Sequence, residues 1–185
     1  MDKGIDAPRI AAHSAPTREM PARLLTDLRG LMLEGFDGDF SDDDWEHTIG
    51  GWHFFVEDRG SVVSHASVVP RMLEVDSRPF RAGYVEGVAT RPARRKAGFA
   101  SAVMTAASAH IRSHYEIGAL GTDLFSFYER FGWERWIGST YVRRTNGLFH
   151  SEEDDGYVMV LRFGASANLD LAAPISCEER SGDDW

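Results

Sequence analysis

The sequence predicts an α+β domain built on a mixed β-sheet. Three observations carry this. Between Trp52 and Thr90, runs rich in valine and aromatic residues are separated by short turns, the pattern of consecutive hairpins. One long alanine-rich helical pattern, Ala97 to Tyr115, follows the last of those runs at once. The chain then returns to strand, short helix, strand and strand. That order is not the regular βαβ alternation of a dinucleotide-binding fold.

Taken in order, residues up to about Pro8 read as a loose terminus, and Arg9 to His13 as a first strand. Thr17 is the expected cap of a helix running to about Leu33, with Leu24, Leu25, Leu28, Leu31 and Met32 on one stripe. The run Gly35 to Phe40 breaks it. Ser41 with Asp44 three residues on forms a capping arrangement for a short helix through Ile49, closed by Gly50 and Gly51. Trp52 to Glu57, the turn Asp58-Arg59-Gly60 and Val62 to Val69 make a hairpin. A second turn near Asp76 to Pro79 leads into a strand from Gly83 to Thr90. The Ala97–Tyr115 helix carries Val103, Met104, Ala107 and Ile111 on one face. A strand at Ile117 to Leu120 and a helix from about Leu124 to Phe131, ended by Gly132, come next. Strands near Trp136 to Arg143 and Tyr157 to Phe163 flank an acidic loop, and the tail holds one further strand around Leu169. With no internal repeat or linker, residues 1–185 read as a single domain.

Chemistry concentrates where the fourth strand meets the long helix. Val88 to Thr90 ends in basic residues, then Arg95, Lys96, Ala97, Gly98, Phe99 and Ala100 turn into the helix. Small residues let the backbone approach a ligand, and successive N–H groups at a helix start face negative charge. The cations add fixed charge beside that nest. Such a turn holds a pyrophosphate, so a phosphorylated cofactor is expected. The turn lacks both the dinucleotide glycine pattern and a Walker lysine, which argues against hydride or phosphoryl transfer.

Twenty Lys and Arg against 29 Asp and Glu give a net charge of −9, which argues against a nucleic-acid surface. The acids cluster at Asp37 to Glu46, Glu152 to Asp155 and Glu178 to Asp184, as solvated loops do and as a site for a cationic co-substrate would. No apolar run reaches membrane-spanning length, and no membrane partner is expected. A lone cysteine, Cys177, fits a reducing cytoplasm. Asp37, Asp39 and Ser41 begin like a calcium loop, but Asp42 stands in the glycine place and Thr48 in that of the closing glutamate. His47, His53 and His65 fit no compact ligand spacing, so no metal is expected.

Arg95, Gly98 and Ala100, between strand and helix, resemble the acetyl-CoA signature of the GNAT-type N-acetyltransferases. Phe127 to Trp133 resembles that superfamily's later tyrosine-bearing helix. The runs Glu34 to His53, Gly83 to Ala89, Asp154 to Gly156 and Gly182 to Trp185 are similar to aminoglycoside 2′-N-acetyltransferases, in that family's order. The resemblance implies a mostly antiparallel GNAT sheet flanked by helices, splayed central strands binding acetyl-CoA, and a homodimer. It implies that Val88, Thr90, Arg95, Lys96, Ala97, Gly98, Phe99 and Ala100 hold the cofactor, with the Val88 N–H as oxyanion donor. Glu86 would be the general base, and a strand period of two would put it on the same face as Val88. Tyr128 would be the general acid. Asp39, Asp44, Glu86, Gly121, Asp154, Asp183 and Trp185 would bind the drug.

Bland readings stand beside these: a solvated edge glutamate for Glu86, a packing residue for Tyr128. Two departures lie on the acceptor side. Gly121 replaces a serine that contacts the sugar in relatives, and Glu179 an aromatic. A kasugamycin-type acceptor therefore stays open beside gentamicin-, tobramycin- and kanamycin-like amines, with antibiotic resistance as the outcome. A polyamine, peptide or metabolite acceptor, or a non-catalytic binding module, are the competing functions.

Overall fold

The computed structural model describes residues 10–185. The expected loose terminus, and Arg9 at the start of the expected first strand, lie outside the described residues. Strand β1 is His13–Pro16. Helix α1, Ala22–Gly35, buries Leu28, Leu31 and Met32, three of the five stripe residues. Its cap position is Pro21, not Thr17. The Thr17 hydroxyl is engaged elsewhere: it lies 2.8 Å from His53 Nε2 and accepts from the Gly50 N–H at 3.1 Å. Helix α2, Asp42–His47, begins with the expected capping box between Ser41 and Asp44.

Strands β2 (Trp52–Asp58), β3 (Ser61–Val75) and β4 (Arg78–Thr90) form the antiparallel centre. Both hairpin arms at the Asp76–Pro79 turn are longer than expected, because pairing runs on to Val75↔Arg78. Helix α3 is Phe99–His114, β5 is Ile117–Gly121 and α4 is Phe125–Glu129. Then come β6 (Glu134–Arg135), β7 (Thr140–Arg144), β8 (Gly147–His150), β9 (Val158–Arg162) and β10 (Ile175–Glu178). The sheet order is β6-β9-β5-β4-β3-β10-β7-β8, with β2 and then β1 branching from β3. Only β4/β5 and β10/β7 pair in parallel.

Three expectations for the second half are corrected. The strand expected over Trp136–Arg143 begins only at Thr140, as β7, and the short β6 lies just before it. Between them the chain crosses at Gly138, where an added Cβ would come within 2.0 Å of the Ala173 carbonyl oxygen. Strand β8 was not expected; its four residues are all exposed, so it carries no hydrophobic alternation. The tail strand lies at β10 rather than around Leu169, whose N–H is tied into a turn on the Ser166 carbonyl.

Helix α3 covers one face of the sheet, packing Val103, Met104, Ala107 and Ile111 on Phe54, Val68 and Val85. Helix α1 covers the other, with Leu28 and Met32 near Phe55 and Ala89. Two irregularities in β4 set up the site. The β4–β5 ladder stops at Tyr84↔Ala119, so beyond Tyr84 the β4 edge has no strand on that side among the described residues. And β4 bulges: Ser67 faces Glu86 and His65 faces Ala89, leaving an extra residue in β4 near Gly87, whose φ is +55°. An added Cβ there would meet Thr48 Cγ2 at 2.8 Å.

The bulge corrects the period-two expectation. Val88 packs with Val85 against the α3 core, whereas Ala89 joins the α1 core. Glu86 and Val88 therefore point their side chains to opposite faces.

Candidate active site

Two clefts reach β4, one along Tyr84 to Val88 and the other at Thr90. The smaller, about 390 Å³, is lined by Thr90, Lys96, Gly98, Phe99, Ala100 and Phe127 among others. Gly98 is the N-cap of α3 in a left-handed conformation (φ +88°), and no described side chain caps the helix. The first-turn N–H groups are thus open, and the helix dipole favours an anion there. Lys96, also at positive φ, and Arg95 line this cleft. The Arg95 guanidinium donates to the Gly35 carbonyl at 2.8 Å. Arg94 pairs with Asp58 and lies 5.3 Å from the centre of the Phe99 ring. Of the expected cofactor residues, Ala97 does not line this cleft and Val88 lines the larger one.

The larger cleft, about 570 Å³, gathers Asp39, Asp44, Glu86, Gly121, Asp154, Asp183 and Trp185, all seven residues expected at an acceptor site. They come from the α1–α2 loop, α2, β4, the end of β5, the loop before β9 and the tail. Tyr128 of α4 and the stacked Phe36–Phe40 pair also line it. Asp44 spends Oδ2 on the Ser41 N–H and hydroxyl at 2.7 and 2.8 Å, so its other oxygen is the one left for a ligand. Burial raises the Asp154 carboxyl above its ordinary range, against a hydrogen bond from Ser151.

Glu86 is ion-paired with Arg180 at 2.5 Å, each side chain 16% exposed. Burial pushes the Glu86 carboxyl up, and the Arg180 charge and hydrogen bond pull it back. Arg180 is placed by the tail: its own N–H donates to Asp184 Oδ1 at 2.8 Å. Buried Arg71 holds the Asp184 and Glu178 carbonyls at 2.7 and 2.8 Å. Ser181 donates to Asp43 at 2.8 Å, and His47 Nε2–H to the Ser181 carbonyl at 2.7 Å, so the tail and α2 form one wall. Burial pushes the Tyr128 phenol up to about 12, so it keeps its proton at neutral pH.

Arg180 and Tyr84 are the residues that sequence reading missed. A single arginine inside the acid-rich tail was a signal for the first. Period two was a signal for the second, because Tyr84 precedes the bulge and shares a face with Glu86. The buried Tyr84 hydroxyl and Trp185 Nε1 both lie at this cleft and have no hydrogen-bond partner among the described residues. Gly121 is beside the Tyr84 hydroxyl and the end of the chain: an added Cβ would lie 3.6 Å from that hydroxyl and 3.8 Å from the Trp185 carbonyl group. Among the described residues no group of three His, Cys, Asp or Glu is arranged to hold a metal.

Residues 34–136 match the family model for the acetyltransferase (GNAT) domain. The chain is 42% identical over 178 residues to the aminoglycoside 2′-N-acetyltransferase of Mycolicibacterium fortuitum, covering 94% of this chain and 91% of that one. Among solved structures, the GNAT N-acetyltransferase YhbS of Escherichia coli in complex with CoA aligns over 95% of this chain and 96% of its own, with a TM-score of 0.63 and 16% identity. The GCN5-related N-acetyltransferase of Kribbella flavida aligns with a TM-score of 0.57 and 18% identity; there the chain spans about a third of the relative's length (34%).

Proposed function

The chain belongs to the GNAT acetyltransferases, and from that premise we propose that it transfers the acetyl group of acetyl-CoA to an amine of an aminoglycoside. The 2′-amine is the acceptor position by likeness to the M. fortuitum enzyme. The observation that carries the proposal is that β4 bears a carboxylate-lined cleft along Tyr84 to Val88 and, at Thr90, a second cleft at an uncapped, cationic helix start.

The donor side fits coenzyme A. Gly98 leaves the backbone bare, with Ile10 Cδ1 at 3.6 Å the nearest atom to an added Cβ. The first turn of α3 and Lys96 suit a pyrophosphate, and the β4 edge suits a chain of amides lying along it. Acetyl-CoA, when bound, supplies an electrophilic thioester carbon and a thiolate leaving group.

The remaining work falls to side chains and backbone of this protein. Asp39, Asp44, Asp154 and Asp183 attract the ammonium groups of the acceptor by charge-assisted bonds and disfavour neutral molecules. Glu86 takes a proton from the reacting ammonium, freeing the nitrogen lone pair to form the N–C bond. The Val88 N–H donates to the thioester oxygen as negative charge gathers there, a contribution of roughly 3 kcal/mol in other enzymes. Tyr128 gives its proton to the sulfur as the C–S bond breaks. The product is an amide without the amine's charge, so it loses attraction to RNA phosphates, which is how resistance would follow.

The test is thiol release from acetyl-CoA with kasugamycin, gentamicin, tobramycin, kanamycin and spermidine as acceptors. Turnover with at least one aminoglycoside is expected, with kcat falling about 100-fold or more in Glu86→Gln. Turnover with spermidine alone would assign the same chemistry to another amine. Tight drug binding with no thiol release from any acceptor would overturn the proposal.

A further inference from the structure

The β4 bulge leaves its carbonyl groups to be satisfied in an unusual way. Ser67, His65 and Ser64 of β3 are fully buried, and each reaches across with its side chain. Ser67 donates to the Glu86 carbonyl at 3.2 Å, His65 Nδ1 to the Gly87 carbonyl at 2.8 Å, and Ser64 to the Ala89 carbonyl at 3.1 Å. A buried carbonyl needs a donor, and at Gly87 the donor is an imidazole.

That bond fixes the protons of a longer chain. A carbonyl only accepts, so His65 carries its hydrogen on Nδ1 and has a lone pair on Nε2. His53 Nδ1–H then donates to His65 Nε2 at 2.9 Å. His53 Nε2 accepts in turn from the Thr17 hydroxyl at 2.8 Å, and Thr17 is held by the Gly50 N–H at 3.1 Å. Burial pulls His65 down to about 3 and His53 down to about 4, so both rings stay neutral at neutral pH and the proton order is single.

The peptide unit at the end of this chain is the one that matters. The Gly87 carbonyl and the Val88 N–H belong to the same trans peptide, so they point in opposite directions. With the carbonyl drawn toward β3, the N–H is directed to the side that β5 has left. A hydrogen bond accepted by the carbonyl also polarises the amide and makes its N–H a stronger donor, by about 10–30%. We infer that His65, steadied by His53 and Thr17, is a positioning residue that sets the plane of the Gly87–Val88 peptide and strengthens its N–H toward the thioester oxygen. This rests on the role given to the Val88 N–H above. It adds three residues that line neither cleft to the machinery of the transfer.

Two substitutions at His65 separate positioning from packing. His65→Leu keeps bulk and deletes the donor, while His65→Asn places an amide nitrogen near the Nδ1 position. His65→Leu is expected to lower kcat about ten- to a hundredfold with both KM values within about twofold. In the ligand-free protein the same change should move the Val88 amide resonance. His65→Asn should restore both. If His65→Leu does not fold, His53→Leu, which retains the His65 donor but removes its support, should give the same split at smaller size. A kcat within twofold of the parent, or a lost kcat with the Val88 amide unmoved, would overturn the inference. Replacing Val88 by its α-hydroxy acid analogue deletes only the N–H and tests the underlying role. Full turnover in that ester variant would remove the oxyanion role itself, whereas loss there with none in His65→Leu would remove only the clamp.

Discussion

Glu86 stands under two opposed influences. Burial disfavours its charge, and the guanidinium of Arg180 at 2.5 Å favours it. In the proposed reaction that guanidinium occupies the place a substrate ammonium would take, so the acceptor must share or displace it. Removing it in Arg180→Met leaves burial opposed only by the weaker influence of Arg71, and the carboxyl is protonated over more of the acid range. The acid limb of the kcat/KM profile is therefore expected to move to higher pH; an unmoved limb would mean that another group controls it. Asp39, Asp44, Asp154, Asp183 and Glu86 were legible in the sequence because each sits in a short motif. The pairing of Arg180 with Glu86 was not, because the two lie 94 residues apart and nothing local records it.

At the scale of elements, the start of α3 concentrates the features on which the proposed donor site rests. Gly98 holds the left-handed N-cap, where a side chain costs about 1–2 kcal/mol in backbone strain. Gly98→Ala meets little else, since its Cβ would be 3.6 Å from Ile10. A loss of about 1 kcal/mol in thermal unfolding is expected, with weaker coenzyme A binding by calorimetry. Unchanged affinity would detach the helix start from the donor. The helix itself was legible from its alanine-rich period, and α2 from its capping box. The bulge in β4 was not: it arises from register against β3, and a period of two counted along one strand cannot reveal an extra residue opposite its neighbour. Likewise β10 is specified by partners on β3 and β7 rather than by alternation of its own.

The molecule as a whole carries a charge of −9 but keeps two buried neutral histidines near its centre. An unfolded histidine takes up a proton near pH 6.5, whereas folded His53 and His65 do so only at about 4 and about 3. Between those values the unfolded chain binds more protons, so stability is complete above about pH 6.5 and declines as pH falls below it. Urea midpoints at about pH 7.5 and about pH 5 should differ in that direction, and His53→Gln should reduce the difference; equal midpoints would mean the rings are not buried neutral. The order of the sheet has a genetic consequence. β10 wedges between β3 and β7, and the residues after it bring Arg180, Asp183 and Trp185 to one wall of the larger cleft. A stop codon upstream of Ile175 would leave β4, α3 and the coenzyme nest encoded while deleting that wall. The product of such a gene would keep the residues proposed to hold the donor and lose three of those proposed to hold the acceptor.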